Sequence, residues 1–226
     1  MLRLVSQRSR LIRRLAIIAG LLLLIVWFRR PLFQGNFGTV DPTRVYRSAQ
    51  PGDSLEDTIR RNQLGTVVNL RGGSAADEFY RHEVETVQRL GVEFYDLPIS
   101  ATRRPTRREL MLALSVLDRC QYPILIHCKW GSDRTGLLSA LYRLVILGES
   151  PESALNAFTT SHGHFAAFGP QKLHEPFDEY AAWLRAGERQ HNPATFRSWL
   201  EKDYQSDDVF VEWPQIFPGP RPSRKG

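Results

Sequence analysis

The chain has 226 residues, enough for one catalytic-sized domain with appendages. Its net charge of +6 does not describe a nucleic-acid surface. Residues 1–30 hold seven arginines and no acid, which leaves −1 for the rest and −4 once Arg221, Arg224 and Lys225 are also set aside. Basicity confined to the two ends disfavours nucleic-acid binding, and two cysteines exclude a disulfide framework.

Leu15–Phe28 comes first, fourteen uncharged residues between Arg13-Arg14 and Arg29-Arg30. At 1.5 Å per residue it spans about 21 Å, less than the roughly 30 Å of a hydrocarbon core. Arginine stems snorkel, Leu11-Ile12 and Leu32-Phe33 extend the apolar length, and no small-x-small cleavage site follows. The expectation is therefore an uncleaved single-pass membrane anchor in residues 1–34, preferred to a cleaved signal or a soluble core helix. Five arginines precede the segment and two follow, so the positive-inside rule puts the remainder on the extracytoplasmic side.

Gly35–Thr43 reads as a linker. Val45–Ser48 is expected as a strand, Asp53–Asn62 as a helix with Leu55 and Ile59 inward, and Thr66–Leu70 as a strand. Ala76–Leu90 has the spacing of an amphipathic helix stopped by Gly91. Val92–Tyr95 is a strand, and Thr106–Arg119 a helix opening on a Thr106/Glu109 capping box. Ile124–Ile126 is a short buried strand and Thr135–Ile146 a helix. Three further helices are expected: Pro151–Thr160, one marked by Phe177, Tyr180, Ala181 and Leu184, and one capped by Asn192-Pro193. This order predicts an α/β domain over residues 35–204, a central, mostly parallel sheet flanked by helices. Its ligand crevice would lie beyond the carboxyl ends of the strands. The proline-bearing tail, residues 205–226, reads as an irregular strap.

Chemistry concentrates in His127-Cys128-Lys129-Trp130-Gly131-Ser132-Asp133-Arg134-Thr135-Gly136, between a strand and a helix. A helix start supplies unpaired N–H groups and the positive end of the helix dipole, a ready anion site. That field favours an ionised sulfur at Cys128, and Arg134 can fork two hydrogen bonds onto a phosphate. Gly131 relieves the turn where backbone approaches the bound group. Cys120 and Cys128, a turn and a strand apart, are expected as free thiols. A reactive thiol is easiest to keep in a reducing compartment, against the charge rule, so the orientation stays open.

This string resembles the active-site loop H-C-x-x-G-x-x-R-[ST]-G of the cysteine-dependent phosphatases, and Lys129 and Asp133 resemble the dual-specificity, phosphoinositide and atypical bacterial branches. Val45-Tyr-Arg-Ser-Ala-Gln-Pro51 is similar to the entry segment of small bacterial members. The resemblance covers about residues 43–165 and implies a phosphate-monoester hydrolase without a cofactor or metal. In that reading Cys128 attacks phosphorus to give a phosphocysteine. Arg134 and the loop residues Lys129, Trp130, Gly131, Ser132, Asp133 and Thr135 hold the phosphate, with Thr135 donating to the sulfur. His127 is expected to fix loop geometry, and His162 and His164 to be loop residues.

The general acid is left among three options. Asp96 lies thirty-two residues before Cys128 at the end of a strand, Asp133 lies inside the loop, and a good leaving group needs neither. Arg103, Arg104, Arg107 and Arg108 are either a basic mouth for polyanions or a solvated helix start. The substrate implied by the resemblance is a phosphorylated protein, with a phospholipid or inositol phosphate as the alternative. A rhodanese-like sulfurtransferase and a non-catalytic phosphate-binding module are more distant readings.

Overall fold

The computed structural model describes residues 2–29, 34–165 and 170–206. Five strands form one sheet in the order β1-β2-β5-β3-β4: β1 Gly38–Asp41, β2 Val45–Ser48, β3 Thr66–Asn69, β4 Glu93–Asp96 and β5 Ile124–His127. Only β1 runs antiparallel to its neighbour; β2, β5, β3 and β4 are parallel. The expected α/β sheet is therefore present. The segment read as a linker contributes its edge strand β1, because Gly38–Asp41 pairs with β2 through a register shift between Thr39 and Asp41.

Strand alternation sends successive side chains to opposite faces, and two apolar layers result. Val67, Phe94 and Leu125 face helices α2 (Leu55–Asn62) and α3 (Glu78–Leu90), packing with Leu55, Ile59 and Val87. On the other face Val68, Ile124 and Ile126 join the larger core. Its helices are α4 (Arg107–Arg119), α5 (Asp133–Val145), α7 (Glu175–Ala186) and α8 (Pro193–Lys202). Leu110, Leu137, Leu141, Phe177 and Phe196 are fully buried there, each removing side-chain area worth about 1.5–3 kcal/mol.

Local signals explain the ends. Thr106 and Glu109 form the reciprocal capping box of α4. Gly91 adopts a left-handed conformation after α3, and Asn192 caps α8 ahead of Pro193. The helix expected over 151–160 is shorter: α6 covers Pro151–Ala154 and tightens into a 3-10 turn over Leu155–Ala157.

The N-terminal expectation is overturned. Helix α1 runs Leu2–Trp27, but among the described residues no helix is long and apolar enough to cross a membrane. The helix is long because it continues back through Arg14, Arg13 and Arg10. Its uncharged part, Leu15–Trp27, reaches only about 20 Å against the roughly 30 Å required. The anchor, the membrane partner and localisation, and the question of sidedness fall with it. The proline-bearing tail beyond residue 206 lies outside the described residues.

The parallel register brings the strand ends into one line. Ser48 and Asn69 both pair with His127, and Asn69 also pairs with Asp96. The segment that follows β5 starts from this line.

Candidate active site

Cys128 follows the last residue of β5, and α5 begins at Asp133, so the intervening turn is short and tightly held. Gly131 sits at φ +67°, and a Cβ there would lie 2.5 Å from backbone atoms of Ser48 and Ala49. Both the conformation and the close approach to β2 require glycine.

Four consecutive loop carbonyls are bonded away from the turn. The Gln50 amide donates to Lys129 O at 3.4 Å, and Asn36 Nδ2 donates to Trp130 O at 2.8 Å. Nη2 of Arg47 donates to Gly131 O at 2.9 Å and Ser132 O at 3.2 Å. A trans peptide carries its N–H opposite its C=O. Pinning these carbonyls outward therefore turns the amides of Trp130, Gly131, Ser132 and Asp133 the other way, as an anion-binding loop needs. Arg47 is buried and also donates to Ala157 O at 2.6 Å, while Asn36 also holds His162 O at 2.8 Å.

Arg134 is the second residue of α5. Its Nη1 donates to Leu70 O at 3.1 Å and Ile99 O at 3.3 Å, which fixes the guanidinium plane between the ends of β3 and of the segment after β4. Nε and Nη2 keep no protein partner among the described residues. Cys128 is buried and unbridged, as is Cys120, whose thiol burial pushes up to about 12. Thr135 is fully buried with Oγ1 unpartnered. Trp130 is 70 % exposed, with the Lys129 ammonium 5.2 Å from its ring centre.

Beneath the loop lies a buried polar layer facing α3. Oε1 of Glu83 lies 2.5 Å from Nε2 of His127, and Oε2 accepts from Gln50 Nε2 at 3.0 Å and Asn69 Nδ2 at 3.4 Å. Asp96 belongs to this layer. It is 3 % exposed, and Oδ2 accepts from the Tyr80 hydroxyl at 2.9 Å. Burial, reinforced by the nearby Glu83 carboxylate, raises its carboxyl above the usual range, although Tyr80 and His127 act the other way.

Asp133 stands elsewhere. Its Oδ1 meets Nδ1 of His164 at 2.8 Å and Ser132 Oγ at 3.1 Å, so His164 is more than a loop residue. The arginines after β4 turn out to be bound. Arg103 pairs with Glu109. Arg104 pairs with Glu179 and donates to Gln205 O, and Arg107 donates to Tyr204 O. Arg104 and Arg107 fasten residues 204–205 to the start of α4 instead of forming an open basic mouth.

Asn36, Arg47, Glu83 and His164 were not singled out as functional by sequence reasoning. Arg47 lies inside the quoted Val45–Pro51 motif, which was the one signal that could have marked it. Among the described residues no group of three or more His, Cys, Asp or Glu is placed to hold a metal ion.

Comparison with known proteins agrees with this geometry. The dual specificity protein phosphatase TpbA of Pseudomonas aeruginosa strain PAO1 is 32 % identical over 136 residues, 58 % of this chain and 55 % of that protein. The same protein from strain UCBPP-PA14 is 33 % identical over 125 residues, 53 % and 51 % of the two chains. The chain thus spans about half the length of these curated relatives. The crystal structure of P. aeruginosa TpbA superposes with a TM-score of 0.50 at 24 % identity, covering 74 % of this chain and 96 % of that one. The catalytic core of the PP-IP phosphatase SIW14 from S. cerevisiae gives 0.52 at 22 %, covering 68 % and 93 %. Both share the fold. The family described as PTP-NADK, DSP-PTPase phosphatase fused to NAD+ kinase, matches residues 33–175. With well over half its length matched, the chain belongs to this family of cysteine-dependent phosphatases.

Proposed function

We propose that the protein hydrolyses phosphate monoesters through a phosphocysteine, with phosphorylated protein, phosphotyrosine in particular, as its substrate class. The observation that carries this reading is the loop itself: four carbonyls held outward around a buried cysteine, with an immobilised arginine at the helix start.

Cys128 attacks phosphorus in line, its sulfur forming the new bond while the ester oxygen departs with its electron pair. The inward amides and the free edge of Arg134 hold the equatorial oxygens as charge redistributes, at a site that needs no reorganisation. Thr135, buried with its Oγ1 unpartnered, donates to the sulfur when it leaves from the phosphocysteine, a role supported by that unused hydroxyl. Water then hydrolyses that intermediate. Asp96, buried and raised, and Asp133, on the loop, are the two carboxyls able to supply the leaving-group proton.

The exposed Trp130 beside the nucleophile supports an aryl phosphate, since an aromatic ring can stack on it. TpbA, the relative matched above, has been solved in complex with pTyr. An inositol phosphate is the second reading, supported by Lys129 at the rim and by the likeness to a PP-IP phosphatase. The engaged arginines of the 103–107 segment weigh against it.

Phosphate release should be measured side by side from phosphotyrosine and phosphoserine peptides, phosphoinositides and inositol phosphates. Turnover of the tyrosine peptide by the wild type and none by Cys128→Ser is expected. Undiminished release by Cys128→Ser removes the mechanism, and preference for an inositol phosphate replaces the substrate.

A further inference from the structure

His164 is buried at 4 % exposure, its ring in a three-ring cluster with Phe158, centroids 4.9 Å apart, and His174, 4.8 Å apart, which also touch each other at 4.1 Å. This packing and the 2.8 Å contact from Nδ1 to Asp133 fix the ring's orientation. Its Nε2 is buried without a hydrogen-bond partner, as is Nε2 of His174. A buried imidazole that uses only one nitrogen, and uses it on a carboxylate of the phosphate loop, is expensive to retain for packing alone.

The carboxylate it holds has a divided environment. Oδ1 of Asp133 takes both Nδ1 of His164 and Oγ of Ser132, whereas Oδ2 has no partner among the described residues, and the side chain is 32 % exposed. Asp133 adjoins Arg134 and carries one of the inward-turned amides. Asp96 is the contrast: one oxygen is taken by Tyr80, 3 % of the residue is exposed, and it lies in the layer facing α3. The segment between β4 and α4, 97–106, contains no acid.

We propose that Asp133 and His164 form the proton-donating pair of the reaction, with His164 as its positioning residue, and that Asp96 does not donate. This rests on the phosphatase reading above. As the Cys128 sulfur bonds to phosphorus, the bond to the ester oxygen breaks and its electron pair stays on that oxygen. The proton on Oδ2 of Asp133 moves to it, while Nδ1–H of His164 stays on Oδ1 and stabilises the carboxylate that forms. In the second step water attacks the phosphocysteine, its proton returns to Oδ2, and the sulfur leaves as thiolate. The charged and titratable groups facing the pair are Arg134 next in the chain, His174 against the His164 ring, and Asp178 beyond His174.

The test compares phenyl phosphate, whose leaving group needs a proton, with para-nitrophenyl phosphate, whose leaving group does not, using the full chain. His164→Phe and Asp133→Asn are expected to lose about tenfold or more in kcat/KM, which reports only the steps up to departure of the leaving group, on phenyl phosphate and much less on the nitrophenyl ester. His164→Asn, which keeps an N–H near the Nδ1 position, should recover most of that loss. Asp96→Asn should affect both esters alike. Equal losses on both esters for Asp133→Asn, or a leaving-group-dependent loss confined to Asp96→Asn, overturn the proposal. Asp133 is partly exposed, so its variant reports even if His164→Phe fails to fold. Cys128→Ser keeps the two levels apart: activity surviving in it defeats the phosphocysteine reading, whereas an inactive Cys128→Ser with uniform losses at Asp133 defeats only this pair.

Discussion

Oε1 of Glu83 and Nε2 of His127 are 2.5 Å apart, and neither side chain is more than 2 % exposed. His127 is the last residue of β5 and the one before Cys128, so the carboxylate on α3 braces the base of the loop from Cys128 to Asp133. Glu83 also gathers Gln50, whose backbone amide holds the Lys129 carbonyl, and Asn69, whose Oδ1 accepts from the amides of Arg71 and Gly72. One buried side chain thus organises the ends of β2, β3 and β5. Removing one member of a buried pair costs about 3–5 kcal/mol, because the remaining group keeps its desolvation penalty. Glu83→Ala should therefore lower the urea-derived unfolding free energy by that amount. Glu83→Ala combined with His127→Phe should cost less than the two single losses added. Strict additivity would mean that the two groups do not act as a pair.

Arg47 bears on activity more than on the core. It is the shared donor to Gly131 O and Ser132 O, and a lysine there has no planar fork to reach both carbonyls and Ala157 O. Arg47→Lys is expected to release the two peptides and lower kcat/KM for an aryl phosphate about 10²–10³-fold, the scale of losing one preorganised donor set. The loss should fall mainly on kcat, since the amides act most strongly on the transition state. A rise in KM alone would show that the loop amides do not depend on Arg47.

The distribution of what was legible follows sequence distance. The capping box of α4, the glycine stop after α3, and the strand–loop–helix around Cys128 all rest on residues within a few positions of one another, and local chemistry suffices to read them. Arg47 is 84 residues from Gly131, Asn36 is 94 from Trp130, and His164 is 31 from Asp133. The first two pairings exist because the order β1-β2-β5-β3-β4 places β2 beside β5. No periodicity encodes that. The Arg103–Arg107 cluster stayed open between two readings for the same reason. Its partners, Glu179, Tyr204 and Gln205, arrive from about a hundred or fewer residues downstream and convert an apparent basic mouth into a clasp. At the N-terminus the apolar run is extended by Leu11 and Ile12 only across Arg13 and Arg14, and Arg10 follows on the far side, so the helix gains length without gaining a continuous apolar span.

Acid sensitivity should have a histidine component. Burial, chiefly, and then the neighbouring His164 lower His174 below its ordinary value of 6.5, with Asp178 and Asp133 opposing. The unfolded chain therefore takes up a proton near pH 6.5 that the folded protein refuses until a lower pH. Between those two values the unfolded state binds more protons, so stability falls as pH falls. Asp96, raised in the folded state, works in the opposite direction, but it is common to wild type and variant. His174→Phe should lose less unfolding free energy than wild type when pH is lowered from about 7.5 to about 5.5 in urea titrations. Parallel pH dependence of the two proteins would exclude His174 as a contributor.

Trp130 provides the sharpest separation of substrate from chemistry. It lies two residues after Cys128, its carbonyl is held by Asn36, and its ring stands 70 % exposed with the Lys129 ammonium 5.2 Å from its centre. An indole in water contributes little to stability, so Trp130→Ala should leave the unfolding free energy within about 0.5 kcal/mol of wild type. If an aryl phosphate is the substrate, as proposed, Trp130 presents a flat apolar face for it to stack on, and stacking of this kind is worth about 0.5–1.5 kcal/mol. That corresponds to a rise in KM of about two- to twelvefold for a phosphotyrosine peptide, with kcat nearly unchanged, since the ring acts on ground and transition states alike. A phosphoserine peptide, having no ring to stack, should show little change. If KM rises equally for both peptides, Trp130 shapes the mouth without reading the aromatic group, and the phosphotyrosine assignment loses its structural support.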